Sequence, residues 1–244
     1  VIDPIDGTRS FVAGHKDFGT LISLLYKKKP VLGIINCPAH NERWIGVENQ
    51  ITTLNGKNIK TSSKKSIEDC YAITTGLYFE DETFRNGFDN IIKKSKYYIF
   101  GGDCYMYGML SSGLVDIVVE DTLKAHDYMA LVPVIQGAGG VITDKYNNPI
   151  TLDSDGSVLA TANSLIHKQV INIPTPFPIF FFPNLTTKKL NSRKSDRSFW
   201  LVDQYRENHP PDALQSSSKR THDPKKEKWG GYAHEKTGEN ESKT

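Results

Sequence analysis

The sequence predicts a layered α/β (α+β) fold over residues 1–172, and three observations carry that expectation. Apolar strand-like runs come first and lie close together, with polar turns between them. Segments of helical period then alternate with short apolar runs, the pattern of strands covered by helices. After Pro174 both periodicities stop.

The elements follow in order. Val1-Ile2 reads as the end of a strand, and Thr8 as the N-cap of a short helix over residues 9–13. Residues 19–26, 31–36 and 44–47 are apolar runs, the first two parted by Lys27-Lys28-Lys29-Pro30, so they predict an antiparallel meander. Residues 71–75 are a further strand candidate. Residues 81–94 place Phe84, Phe88, Ile91 and Ile92 on one helical face. A helix over 103–112 follows a Gly-Gly turn, and 115–119 is a short strand. Residues 126–137 read as one buried helix carrying Tyr128, Leu131, Val132 and Ile135, ended by Gly139-Gly140 before a strand at 141–143.

Residues 173–244 are different. They hold prolines and aromatics first, then Lys, Ser, Asp, Asn and Glu with almost no aliphatic period. Such a stretch cannot bury enough apolar surface to offset its ordering entropy, so a low-complexity, disordered tail is expected. Ser216-Ser217-Ser218-Lys219-Arg220 and Pro224-Lys225-Lys226-Glu227-Lys228 read as solvated rather than as a surface for an acidic partner. The sequons at Asn184 and Asn240 read as chance matches.

Composition narrows the function classes. The 244 residues are 24% charged with a formal net charge of +2, a balance that argues against a nucleic-acid binder. The most apolar stretch, Pro178-Ile179-Phe180-Phe181-Phe182-Pro183, is too short to span a bilayer and is flanked by proline. Cys37, Cys70 and Cys104 form no CxxC pair, so neither a zinc site nor a disulfide framework is indicated, and a reducing cytoplasm is the default. The first residue is Val, so the lack of a visible targeting segment carries no weight.

The chemistry concentrates in the opening run Asp3-Pro4-Ile5-Asp6-Gly7-Thr8. Pro4 holds Asp3 extended, and Gly7 permits a turn closed to other residues. Two carboxylates brought close repel one another unless a cation separates them. Oxygen ligands select hard cations, so Mg²⁺ is expected rather than Zn²⁺, with the Ile5 carbonyl able to complete the shell. The Gly7 and Thr8 amides can hold phosphate oxygens, with the helix dipole assisting. The plainer account is that Asp3 and Asp6 cap a turn.

This run resembles the first signature of the inositol monophosphatase family. The resemblance continues through residues 18–25, through Gly101-Gly102-Asp103-Cys104, through Lys124-Ala125-His126-Asp127, and through Gly137-Ala138-Gly139-Gly140. It covers about residues 1–162 and is nearest to the histidinol-phosphatase branch. It implies the layered αβαβα sugar-phosphatase fold, a small phosphorylated metabolite as substrate, and a homodimer. It also implies roles for single residues. Asp3 would bridge two metal ions, Ile5 would offer its carbonyl to one, and Asp6 would bind the other. Gly7 and Thr8 would hold phosphate, and Thr8 would orient the attacking water. Asp127 would be a further metal ligand, with His126 where the family carries Trp. Glu120 would contact a substrate hydroxyl or amine.

Asp103 is the residue that ranks substrates. A carboxylate there suits the ammonium group of histidinol phosphate better than a neutral polyol such as inositol 1-phosphate, which stays the alternative. Asp103 and Asp127 also fit as helix N-caps, and His15 and Lys16 as members of a solvated loop. Family members carry an N-terminal helical layer with a Glu-Glu metal ligand ahead of the acidic turn, which has no counterpart in this sequence. A truncated chain with an uncovered sheet face is therefore expected, and a non-catalytic fragment is a further alternative.

Overall fold

The computed structural model describes residues 1–173. Six strands form the first sheet in simple meander order: β1 (Ile2–Asp6), β2 (Gly19–Tyr26), β3 (Lys29–Cys37), β4 (Glu42–Val47), β5 (Thr53–Leu54) and β6 (Lys57–Asn58). All neighbours are antiparallel, as the short turns between the runs require. Alternation then decides burial along β2: Leu21 and Ser23 point inward, while Ile22 and Leu24 point out. Ile2 pairs with Ile22, so Ile2, Ile22 and Leu24 leave an apolar, exposed strip on the outer face.

The second sheet has five strands in the order β10 (Val141–Thr143), β11 (Val158–Thr161), β9 (Ile117–Glu120), β7 (Tyr71–Thr74) and β8 (Tyr97–Phe100). β7, β8 and β9 run parallel, so their carboxyl ends share one edge. Helices α3 (Asp103–Ser111) and α5 (Leu131–Gly137) lie between the sheets, and α2 (Glu82–Lys94) and α6 (Ser164–Ile171) cover the far face of the second. The same alternation splits the second sheet between two cores. Ile73, Val118, Val158 and Ala160 face Trp44, Tyr107 and Leu131 in one. Ala72, Ile117, Val119 and Leu159 face Phe84, Phe88 and Ile166 in the other. Close contact explains Gly33: a Cβ there would lie 2.0 Å from the Ala130 carbonyl oxygen, so α5 can pack on β3 only over a glycine.

Several expectations change in detail. Residues 126–137 are not one helix but α4 (Ala125–Tyr128) and α5, parted at Met129-Ala130. Pro133 has no N–H and its ring crowds the carbonyl four residues back, so it fits only in the first turn of a fresh helix. Gly7, not Thr8, holds the cap position of α1 (Thr8–Val12), with φ of 74°. Asp81 caps α2, accepting from Thr83 N and Phe84 N. β5, β6, β8, β11 and α6 are additions to the sequence reading. Ile173 still packs in the second core, and the tail reading for residues beyond it lies outside the described residues.

Candidate functional site

The acidic turn lies where β1 leaves the first sheet. Its pairing with β2 is irregular between Asp3 and Asp6, so the two carboxylates do not share one direction. Asp3 Oδ1 accepts from its own turn, from Ile5 N at 3.0 Å. Asp6 Oδ2 instead accepts from Cys104 N at the start of α3, at 2.7 Å. Asp6 is thus tied to α3 across the chain, while Asp3 bonds within its own turn. Asp3, His126 and Asp127 are the residues whose ligand atoms all lie within 4.8 Å of one another. His126, read from sequence only as a substitution for Trp, thus belongs to the cluster, its Nε2 3.5 Å from Asp127 Oδ1.

Local hydrogen bonds set each side chain. Asp127 is the third residue of α4, not its cap, and its Oδ2 reaches back to Lys124 N at 2.6 Å, leaving Oδ1 toward the cluster. Thr8 Oγ1 donates to the Ile5 carbonyl at 2.9 Å, three residues back, rather than capping its own helix. α1 is only five residues long, so its macrodipole adds little, and the local backbone must do the work expected of it. Gly7 is required twice over: its φ is left-handed, and a Cβ would fall 2.8 Å from the Asp17 carbonyl oxygen and 3.0 Å from Asp103.

Asp103 comes from the other side. It is the first residue of α3 rather than its cap, with φ of 40°, a strained value for a side-chain-bearing residue. Ser10 Oγ donates to Asp103 Oδ2 at 2.6 Å, so the turn and α3 are joined by two bonds, Ser10 to Asp103 and Cys104 to Asp6. Glu120 ends β9, is 8% exposed, and accepts from Tyr107 Oη at 2.7 Å.

Asp6, Gly7, Thr8, Asp103, Glu120 and Asp127 line a cavity of about 640 Å³, whereas Asp3, Ile5 and His126 are not among its lining residues. Asp6, Asp103, Glu120, Asp121 and Asp127 contribute five carboxylates, against the single cation of Arg9. The imbalance appears in their proton affinities. Burial, with Asp127 and Asp103 nearby, pushes Asp6 up to about 6. Burial raises Asp127, and Asp3 beside it adds to the effect. Burial drives Glu120 up to about 8, so at neutral pH it is an acid until a cation reaches it. Crowded, desolvated carboxylates of this kind mark a place built for cations. The clustered donors could hold a divalent ion: two carboxylates with a free oxygen each, beside the imidazole of His126.

Thr74, Gly76, Leu77, Tyr78 and Gly101 also line this cavity, and sequence reasoning did not single them out. They sit beyond the carboxyl ends of β7 and β8, where parallel sheets offer binding crevices. That rule was the one signal able to find them. His15 and Lys16 are not among the lining residues.

Comparison with known proteins agrees with the geometry. A chloroplastic bifunctional phosphatase of Arabidopsis thaliana, IMPL2, is 44% identical over 178 residues, covering 70% of this chain and 51% of that protein. A histidinol-phosphatase of Chlorobaculum parvum is 28% identical, covering 70% and 66%. The solved structure of an inositol monophosphatase from Zymomonas mobilis superposes with a TM-score of 0.68 at 43% identity, covering 70% of this chain and 68% of that one. The chain thus spans about half of the plant relative and about two thirds of the others. Residues 1–174 match the family described as the inositol monophosphatase family, and with the acidic turn, the cavity and both sheets inside that span, the chain belongs to it.

Proposed function

We propose that this chain carries the phosphate-ester site of a Mg²⁺-dependent phosphomonoesterase, with histidinol phosphate its first substrate. One observation carries the reading: five carboxylates line a single cavity together with Gly7 and Thr8. The phosphate would lie against Gly7 and Thr8, whose amides are donors for its oxygens. Asp3, Asp6, Asp127 and the Ile5 carbonyl would hold the metal. Bound there, Mg²⁺ would supply charge neutralisation for the phosphate and a lowered pKa for water. Thr8 would orient the attacking water through its hydroxyl, itself fixed by the Ile5 carbonyl. Asp103, held by Ser10, keeps one oxygen free for an ammonium group, which favours a cationic substrate over inositol 1-phosphate.

A second reading also has an observation behind it. The clustered ligand atoms come from two carboxylates and one histidine, a small charge for holding Mg²⁺. On that basis the described part would bind phosphate esters without turning them over. The further expectations of a homodimer and of a cytoplasmic location belong to the same proposal. Three free, buried cysteines suit a reducing compartment, and no helix among the described residues is long and apolar enough to cross a membrane.

The test is phosphate release from histidinol phosphate and inositol 1-phosphate, with and without Mg²⁺. The expected result is Mg²⁺-dependent release favouring histidinol phosphate. Asp127→Asn should lower kcat/KM by about a hundredfold, the scale for losing one stabilising group in the transition state. Asp103→Ala should reduce the preference between the two substrates. A well-folded protein that releases phosphate from neither ester sinks the enzyme reading for this chain.

A further inference from the structure

The cavity wall has a part that phosphate chemistry leaves unused. The segment between β7 and α2 sends Leu77 and Tyr78 to the rim of the acidic cavity. Both are apolar side chains left in water, Leu77 at 53% and Tyr78 at 74% exposed. The segment is nonetheless tied at both ends. Thr74 Oγ1 donates to the Gly76 carbonyl at 3.2 Å on one side. On the other, Glu80 N and Asp81 N donate to Asp121 Oδ2 at 3.0 and 3.2 Å. Phe79 is packed by Phe84 and Phe88, with ring centroids 5.8 and 5.7 Å away. Tyr78 is therefore held out of the core by the anchoring of its neighbour. Among the described residues it makes neither a hydrogen bond nor a ring contact. Since Asp121 follows Glu120 directly, this lip is registered against the carboxylate wall.

An aromatic ring fixed at a cavity rim gains free energy only when something covers it. A polyol offers that ring little, because its hydroxyls would lose water against an apolar face. A flat unsaturated ring can stack on it, and a cationic one gains further from the negative ring face. Glu120 and Asp103, which line the same cavity, favour the same positive charge. We propose that Leu77 and Tyr78 form a specificity-determining lip contacting the organic half of the substrate, and that this half carries a flat, cationic ring such as imidazolium. The proposal rests on the phosphomonoesterase reading above and adds the residues that would choose among esters.

The test uses the full chain with Mg²⁺ and three esters: histidinol phosphate, inositol 1-phosphate and glycerol 2-phosphate. Tyr78 is exposed, so Tyr78→Ala and Tyr78→Phe leave the fold undisturbed. Tyr78→Ala should raise KM for histidinol phosphate about tenfold, the scale of one aromatic contact, and change kcat less than about twofold. The two esters without an aromatic ring should be unaffected, and Tyr78→Phe should behave as the parent. Equal effects on all three esters, or none on histidinol phosphate, overturn the lip. Binding separates this proposal from hydrolysis. In saturation-transfer NMR, phosphate-free histidinol should show contact between its imidazole protons and the protein, lost in Tyr78→Ala. If that contact exists and no ester is hydrolysed, the lip stands and the enzyme reading falls. If esters are hydrolysed and the contact is absent or indifferent to Tyr78→Ala, the reverse holds.

Discussion

Strand β9 carries a buried acid near each end, and the two are treated in opposite ways. Asp116, just before the strand, is fully buried. It accepts from Ser62 Oγ, from Lys64 Nζ at 2.7 Å and from Tyr71 N at 2.7 Å. Every part of its charge is met by a donor, one of them a cation. Glu120, at the strand's other end, is also buried, yet its neighbours are the hydroxyls of Tyr107 and Thr75 and two further acids, Asp6 and Asp103, with no cation among them. Burial alone therefore does not separate a structural acid from a functional one. The missing cation does, because a carboxylate kept desolvated without a counter-charge costs stability that only a ligand can return. The unmet acid sits at the carboxyl end of a parallel strand, where this class of sheet places its ligands.

The largest expected effect tests the satisfied end. Asp116→Ala removes one partner of a buried ion pair and strands the other donors, so it should cost about 3–5 kcal/mol. Lys64 is also stacked over the Tyr71 ring at 4.1 Å and cannot simply swing free of the site. Denaturant unfolding would read this. A cost below about 1 kcal/mol, within the range of an exposed pair, would mean that the network is incidental and the contrast empty.

The unmet end should respond with the opposite sign. Glu120 has a folded pKa of about 8, raised by burial above its ordinary 4.5. Its ionisation penalty is absent below about pH 4.5, grows as pH rises through the range between the two values, and levels off above 8. Glu120→Gln keeps an acceptor for Tyr107 and has no charge to bury. Without metal it should stabilise the protein by on the order of 2 kcal/mol at pH 8 and by nothing measurable at pH 4.5. Unfolding curves at the two pH values decide it. Equal effects at both would show that ionisation of Glu120 is not the source of the strain.

How much of this could be read from the sequence depends on how far apart the interacting residues lie. The meander β1–β4 was legible because alternation is local, and α2 because its apolar stripe is local too. β8 was not, since Tyr97, Tyr98, Ile99 and Phe100 are all large and offer no alternation to count. The acidic turn was legible as a motif, but its geometry was not. The partner of Asp6 is 98 positions away at Cys104, and that of Ser10 is 93 positions away at Asp103. Such bonds leave no trace in spacing, and neither does the cluster that brings Asp3 to His126 and Asp127, far along the chain. Asp116 had a visible clue, an acid set within the apolar run Leu114-Val115-Asp116-Ile117-Val118, yet nothing in that run tells a partnered acid from an unmet one.

The smallest effect extends the contrast to a buried base. His167 is 5% exposed and lies among Thr143, Thr161 and Asn147, which offer hydrogen bonds but no carboxylate. Burial pushes its pKa down to about 4 from 6.5. The sign follows from proton counts: between pH 6.5 and 4 the unfolded chain holds a proton on this group that the folded chain does not. The contribution of His167 is thus complete above about pH 6.5 and is lost as pH falls toward 4, by on the order of 1–2 kcal/mol. His167→Gln, which keeps polar atoms for the two threonines, should flatten this part of the stability–pH curve while leaving the alkaline limb set by Glu120 in place. A curve unchanged between pH 4 and 6.5 would place the acid sensitivity elsewhere. It would also restrict the contrast between met and unmet groups to the carboxylates of β9.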